Sequence, residues 1–249
     1  MKKEVTVDMT KGRIAPQILK FAMPVLLGLI FQRIYNFADS WIVGHFLGDN
    51  ALAAVSVAGV GMYLVFSVII GLTTGVTVVM SQYYGAKQED KVVETFFSSI
   101  YIALAMTVIV TVAGVLLSRP LLILLQTPDE VLNEAVWYLQ LICAGSVGTM
   151  LYNWISSVLR SLGNSVVPLI FLGISSALNV VLDILLVAVI PLGVGGAAIA
   201  TVLAQLISGG ACLVYAWKIL PMLRFQRSKM KLNRYIGKQM LVYGLPAAL

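Results

Sequence analysis

Apolar stretches of 18 or more residues alternate with short charged segments along this chain. A stretch of that length crosses the roughly 30 Å hydrocarbon core of a bilayer as a helix. In hydrocarbon only a helix or a closed barrel satisfies its own backbone hydrogen bonds. The short alternating segments of barrel strands are absent. Charged residues make up 11% of the chain, less than half the roughly 25% usual in soluble domains. The expectation is an all-α polytopic membrane protein.

Six complete spans are expected, at about Gln17–Gly44, Leu52–Tyr83, Val92–Leu117, Asn133–Leu159, Ser165–Ile190 and Gly195–Trp217. The loops between them are short, so successive helices should pack as neighbours. The N-terminus is charged from Lys2 to Lys20, and the first apolar run continues past signal-peptide length, so no cleavable signal peptide is expected.

Basic residues fall almost wholly on one side. Lys2, Lys3, Lys11, Arg13 and Lys20 precede the first span, Lys87 and Lys91 follow the second, and Arg160 follows the fourth. Lys218, Arg224, Arg227, Lys229, Lys231, Arg234 and Lys238 follow the sixth, whereas the other side carries Arg119. The positive-inside rule then places the N-terminus in the cytoplasm of a multi-pass inner-membrane protein. The net charge of +6 is thereby assigned to the membrane surface and not to nucleic acid. Residues 218–238 read as a basic linker that touches anionic membrane lipids, with an interfacial helix as the alternative.

Two carboxylates interrupt this apolar pattern, Asp39 in the first span and Asp183 in the fifth. A charge near the bilayer centre costs roughly 2.5–3.5 kcal/mol on insertion scales and usually faces a bundle interior or a wet cavity. At about 1.5 Å rise per residue, Asp39 lies roughly 28 Å along its helix from Lys20, and Asp183 roughly 27 Å from Ser165. The two therefore reach a similar depth. Asn179 and Asp183 are four apart and share a helix face, and Gln32, Tyr35, Asn36 and Asp39 form a polar stripe. Such a set of oxygens suits a hard cation or a proton, since two close carboxylates cannot both ionise cheaply. The alternative is a polar network that only holds helices together.

Other features read more plainly. Cys143 and Cys212 both lie in spans and read as small apolar fillers. His45 reads as an interfacial residue, and no metal-binding or P-loop motif occurs. Gly71 and Gly75 form a small-xxx-small face suited to close helix packing. No nucleophile–base set is present, so an enzyme is not expected.

The C-terminal stretch Met240-Leu241-Val242-Tyr243-Gly244-Leu245-Pro246 echoes Ile18-Leu19-Lys20-Phe21-Ala22-Met23-Pro24. Both follow basic residues and place proline alike within a starting apolar run. One six-span repeat followed by the beginning of a parallel second is expected, with a cleft between them as the substrate route. The boundaries are 1–217 for the first lobe, 218–238 for the linker and 239–249 for the start of a truncated second lobe.

Several segments together resemble the multidrug and toxic compound extrusion (MATE) family. They are Pro24 with Gln32-Arg33-Ile34-Tyr35-Asn36-Phe37-Ala38-Asp39, Gln82-Tyr83-Tyr84-Gly85-Ala86, Leu159-Arg160-Ser161-Leu162-Gly163-Asn164, and Asn179-Val180-Val181-Leu182-Asp183. The resemblance implies one six-helix lobe of a twelve-helix, two-lobe secondary antiporter, plus the start of helix seven. It implies export of organic cations or drugs in exchange for Na⁺ or H⁺, with no cofactor beyond a bound Na⁺. Cation coupling would fall to Asp39, Asn179, Asp183 and Thr201, and Gln32, Tyr35, Asn36 and Asn153 would be additional cavity residues. Arg33 is placed to pair with a carboxylate and so favour Na⁺ over a proton. The C-terminal lobe of the same polypeptide would be the missing partner. The rival readings are a lipid-linked precursor flippase, which needs a cationic cavity, and a non-transporting membrane scaffold.

Overall fold

The computed structural model describes residues 13–220 and 232–248. Their regular structure is helical: α1 (Ile14–Leu47), α2 (Asp49–Gly85), α3 (Glu89–Leu124), α4 (Asp129–Ala144), α5 (Ser146–Ser161), α6 (Val166–Asp183), α7 (Val194–Ile219) and α8 (Arg234–Ala248). A π-helical turn, Ile184–Val189, continues α6 without interruption. Five spans are long and apolar enough to cross a membrane, and α4 with α5 makes a sixth if that bent pair is one span.

The fourth expected span, Asn133–Leu159, is thus corrected: it is two helices meeting at 49° around Gly145. A Cβ on Gly145 would overlap the Val202 side chain of α7, so the break admits α7 against the bend. Ser146 starts α5 and shares a hydrogen bond with Thr111 of α3, Oγ to Oγ1 at 2.7 Å. α8 begins at Arg234, within the expected linker. Of the expected linker 218–238, residues 221–231 lie outside the described residues.

The connections are short. Only Gly48 separates α1 from α2, at φ 88°, a conformation that glycine adopts without a Cβ penalty. Between α5 and α6, Gly163 also has positive φ, and Asn164 Oδ1 accepts from Val167 N at 3.0 Å.

Small residues bring the helices close. α2 packs against α1, α3, α4, α5 and α8, with Ala51, Ala54, Ala58 and Gly61 buried along it. A Cβ on Gly61 would come within 3.1 Å of Leu139. Large side chains such as Leu104, Val108, Leu116 and Leu124 point outward, the arrangement expected where the surroundings are hydrocarbon. Several hydroxyls inside the bundle return to their own helices: Thr73 Oγ1 donates to Ile69 O at 2.9 Å, Thr107 Oγ1 to Ala103 O at 2.7 Å and Ser99 Oγ to Phe96 O at 2.7 Å.

The expected close-packing face of Gly71 and Gly75 is filled by α8. A Cβ on Gly75 would coincide with the Met240 carbonyl, and one on Gly244 would strike the Gly71 carbonyl. Polar bonds fix the start of the same helix. Asn233 N donates to Ser98 Oγ at 3.0 Å, its Nδ2 to Glu94 Oε2 at 3.1 Å, and its Oδ1 accepts from Tyr235 N and Ile236 N as an N-cap. Tyr83 OH donates to Gln239 Oε1 at 3.2 Å.

Two glycines of α2 therefore separate packing from propensity. Gly59 faces open space, so Gly59→Ala is expected to be neutral or to stabilise by up to about 1 kcal/mol. Gly75→Ala is expected to destabilise by about 1–3 kcal/mol, because a backbone carbonyl occupies the space its methyl needs. Denaturant unfolding in detergent measures both, and equal effects would contradict the α2–α8 contact.

Candidate cation-coupling site

The site forms because α1 and α6 run parallel. Gly28 of α1 lies against Leu169 and Leu172 of α6, where a Cβ would sit 3.4 Å from Leu172 Cδ2. Eleven residues beyond Gly28 is Asp39, and eleven beyond Leu172 is Asp183. At equal rise, about 16 Å, the two carboxyl groups arrive at the same level. They are close enough for one to hydrogen-bond the other when a proton is present.

Both acids are buried, Asp39 at 8% and Asp183 at 0% of full exposure, with Asn179 at 3%. Asn179 Nδ2 donates to Thr201 Oγ1 of α7 at 3.3 Å. One α-helical turn on, Asp183 ends α6 and the π turn begins. π segments inside helices are frequent at functional sites. Ser208 Oγ donates to Phe171 O at 2.5 Å and ties α7 to α6 below the site.

Four buried oxygens here have no hydrogen-bond partner among the described residues: Asp39 Oδ1, both oxygens of Asp183 and Asn179 Oδ1. A buried carboxylate without a compensating charge is costly. Two of them side by side add mutual repulsion. A proton or a small hard cation among these oxygens would offset that cost. Oxygen donors alone, with no nitrogen or sulfur, match the preference of such a cation.

Of the residues expected from sequence, the fold brings together Asp39, Asp183, Asn179 and Thr201. Tyr35 is half-buried and lies within electrostatic reach of both carboxylates, with Gln32 beside it. Asn36 is exposed on α1, and among the described residues no hydrogen bond joins it to the pair. Asn153 Nδ2 donates to Thr149 O of its own helix at 2.8 Å. Arg33 is exposed, and among the described residues no ion pair links it to Asp39 or Asp183, so its expected pairing is not seen. Tyr138 of α4 is the residue that sequence reasoning missed. It is buried and within electrostatic reach of Asp39, Asp183 and Tyr35. A tyrosine in an apolar run reads as packing, and nothing in its spacing marks it otherwise.

Substitutions on the two sides of the site should act with opposite sign. Asp183→Asn removes the like-charge conflict and is expected to raise Tm in cation-free alkaline buffer, where both acids are ionised, by about 2–4 °C per kcal/mol of relief. Thr201→Val leaves the Asn179 amide without its partner and is expected to cost about 1 kcal/mol. Thermal unfolding in detergent measures both, and a lowered Tm for Asp183→Asn would contradict the unbalanced-charge reading.

The MatE family description matches residues 24–185. The chain is 35% identical over 245 residues to the probable multidrug resistance protein YpnP of Bacillus subtilis (strain 168), covering 94% of this chain and 55% of that protein. It is 26% identical over 247 residues to the probable multidrug resistance protein NorM of Thermotoga maritima, covering 95% of this chain and 51% of that protein. A solved structure of MATE in the bent conformation superposes with a TM-score of 0.89 at 24% identity, over 100% of this chain and 55% of the other. A MOP superfamily transporter from Pyrococcus furiosus gives 0.87 at 24% identity, over 99% and 54%. The structural likenesses establish a shared fold. The chain spans about half the length of the curated relatives it matches. It belongs to the MATE family, whose members are transporters and not enzymes.

Proposed function

We propose that this chain forms the N-terminal lobe of a twelve-helix antiporter that exports organic cations or drugs in exchange for Na⁺ or H⁺. The observation that carries the reading is the pair of buried acids, Asp39 and Asp183, facing each other with three of their oxygens unpartnered. Coverage of about half of each relative, and an α8 that starts a further apolar helix, support a second lobe beyond a linker at 218–238. The relatives' names, multidrug resistance and multidrug export proteins, support the substrate class. The distribution of lysine and arginine supports a cytoplasmic N-terminus in the inner membrane.

In this mechanism the pair exists in two charge states. With a cation or proton bound, the repulsion between Asp39 and Asp183 is relieved, and α1, α6 and the π turn settle around it. Without it, the two carboxylates repel and the contact between α1 and α6 is weakened. An ion that binds one arrangement better than the other shifts the equilibrium toward it. An organic cation favouring the opposite arrangement is then released as the ion enters. Asn179 and Thr201 connect the pair to α7, so the change is passed to that helix as well. The flippase alternative needs a buried cationic cluster, and the described charges at this site are acids.

The test uses the full-length protein in proteoliposomes, with Na⁺ and H⁺ gradients imposed separately and efflux of a fluorescent organic cation followed. Asp39→Asn and Asp183→Asn are each expected to reduce gradient-driven efflux by at least tenfold, equivalent to about 1.4 kcal/mol. Normal transport by both variants under every gradient would refute the coupling role.

A further inference from the structure

A cavity of ≈390 Å³ lies between α3, α5 and α7, and none of its lining residues belongs to the carboxylate site. Its floor includes Phe97, Trp154 and Ile155, which are buried, and its mouth includes Leu104, Val147 and Val214, which are exposed. The opening is therefore sideways, through the wall of the bundle. It exists because α3 and α7 both pack on α5 but barely meet each other.

The walls favour hydrocarbon. Thr107 Oγ1 already donates to Ala103 O at 2.7 Å, and the Trp154 indole N–H to Ser99 Oγ at 2.8 Å. No wall side chain carries a charge. A polar ligand would lose its water and gain no hydrogen bond in return. Along α3 the cavity runs from Phe96 to Thr107, about 16 Å, close to half of the roughly 30 Å hydrocarbon core. Trp217 lines the cavity near the end of α7, and Lys218 follows it. Tryptophan and lysine are the residues that settle at headgroup level, the lysine beside anionic lipid.

The last described helix, α8, does not cover this space. The α3 face toward α8 carries Glu94, Ser98 and Ile102. The face lining the cavity carries Phe96, Ile100 and Ala103. At 3.6 residues per turn these two stripes lie on opposite sides of α3. α8 therefore lies on the far side of α3 from the mouth, which is open among the described residues.

We propose that this cavity is a lipid site that holds one acyl chain of a phospholipid, entering sideways from the leaflet at the C-terminal end of α7. The chain lies along α3 with its headgroup at the level of Trp217 and Lys218. This assignment is independent of ion coupling.

Tryptophan quenching tests it. The full-length protein is prepared with Trp154 as its sole tryptophan, all others being replaced by phenylalanine. It is reconstituted in phosphatidylglycerol brominated near the carboxyl end of the acyl chain, with a Trp217-only version as the lipid-facing reference. Trp154 is expected to lose emission to an extent comparable with Trp217, although it is buried. Ala103→Phe, filling from α3, and Ala216→Leu, filling from α7, are each expected to restore Trp154 emission; in the Trp217-only version the same fillings are expected to leave quenching in place. Full Trp154 emission in the unfilled protein would overturn the proposal. That result would also be obtained if a protein partner or second copy covered the mouth. Quenching that persists in well-folded filled variants would overturn it too, by showing that bromine reaches Trp154 without entering the cavity.

Discussion

Hydrocarbon supplies no hydrogen bonds, and this constraint governs the whole structure. It forces each span into a helix that satisfies its own backbone. It sends Thr73, Thr107 and Ser99 back to carbonyls of their own helices. It also leaves helix association to close packing between small residues, as where Gly71 and Gly75 admit the backbone of α8. Against that background, unpartnered oxygens on Asp39, Asn179 and Asp183 are a marked departure. Among the described residues, four of the five buried side-chain oxygens without a partner gather at this one site, the fifth being Ser156 Oγ.

A fixed arginine or lysine beside the two acids would offset one of their charges permanently. Arg33 is instead exposed on α1. Under the proposed function the offsetting charge is carried by the exchanged ion, which would favour one arrangement of α1 and α6 over another.

Much of this was legible in the sequence because apolar length and charge are local properties. The spans, the matched depth of Asp39 and Asp183, and the shared face of Asn179 and Asp183 follow from helical rise and spacing alone. The bend at Gly145 was not legible, since the run from Asn133 to Leu159 stays apolar through it and hydropathy carries no direction. The reason for the bend is Val202, far away in sequence. Tyr138 was missed on similar grounds: its proximity to the acids depends on how α4 packs into the bundle against α2 and α7. Asn153 shows the converse, a polar residue in a span whose amide bonds to its own helix. The start of α8 at Arg234 was hidden by basic residues that read as linker but also suit a helix capped by Asn233.

The single-residue link at Gly48 gives α1 no slack relative to α2. Consecutive Cα atoms are about 3.8 Å apart, so α1 cannot slide along its neighbour and can only pivot about that end. Asp39 lies about 12 Å from this fulcrum, whereas the beginning of α1 at Ile14 lies about 50 Å away. The acid thus works on the short arm of a lever. A nudge of one ångström beside Asp39 sweeps the opposite end through roughly four by rigid-rod geometry, so a small local adjustment is amplified across the thickness of the bilayer.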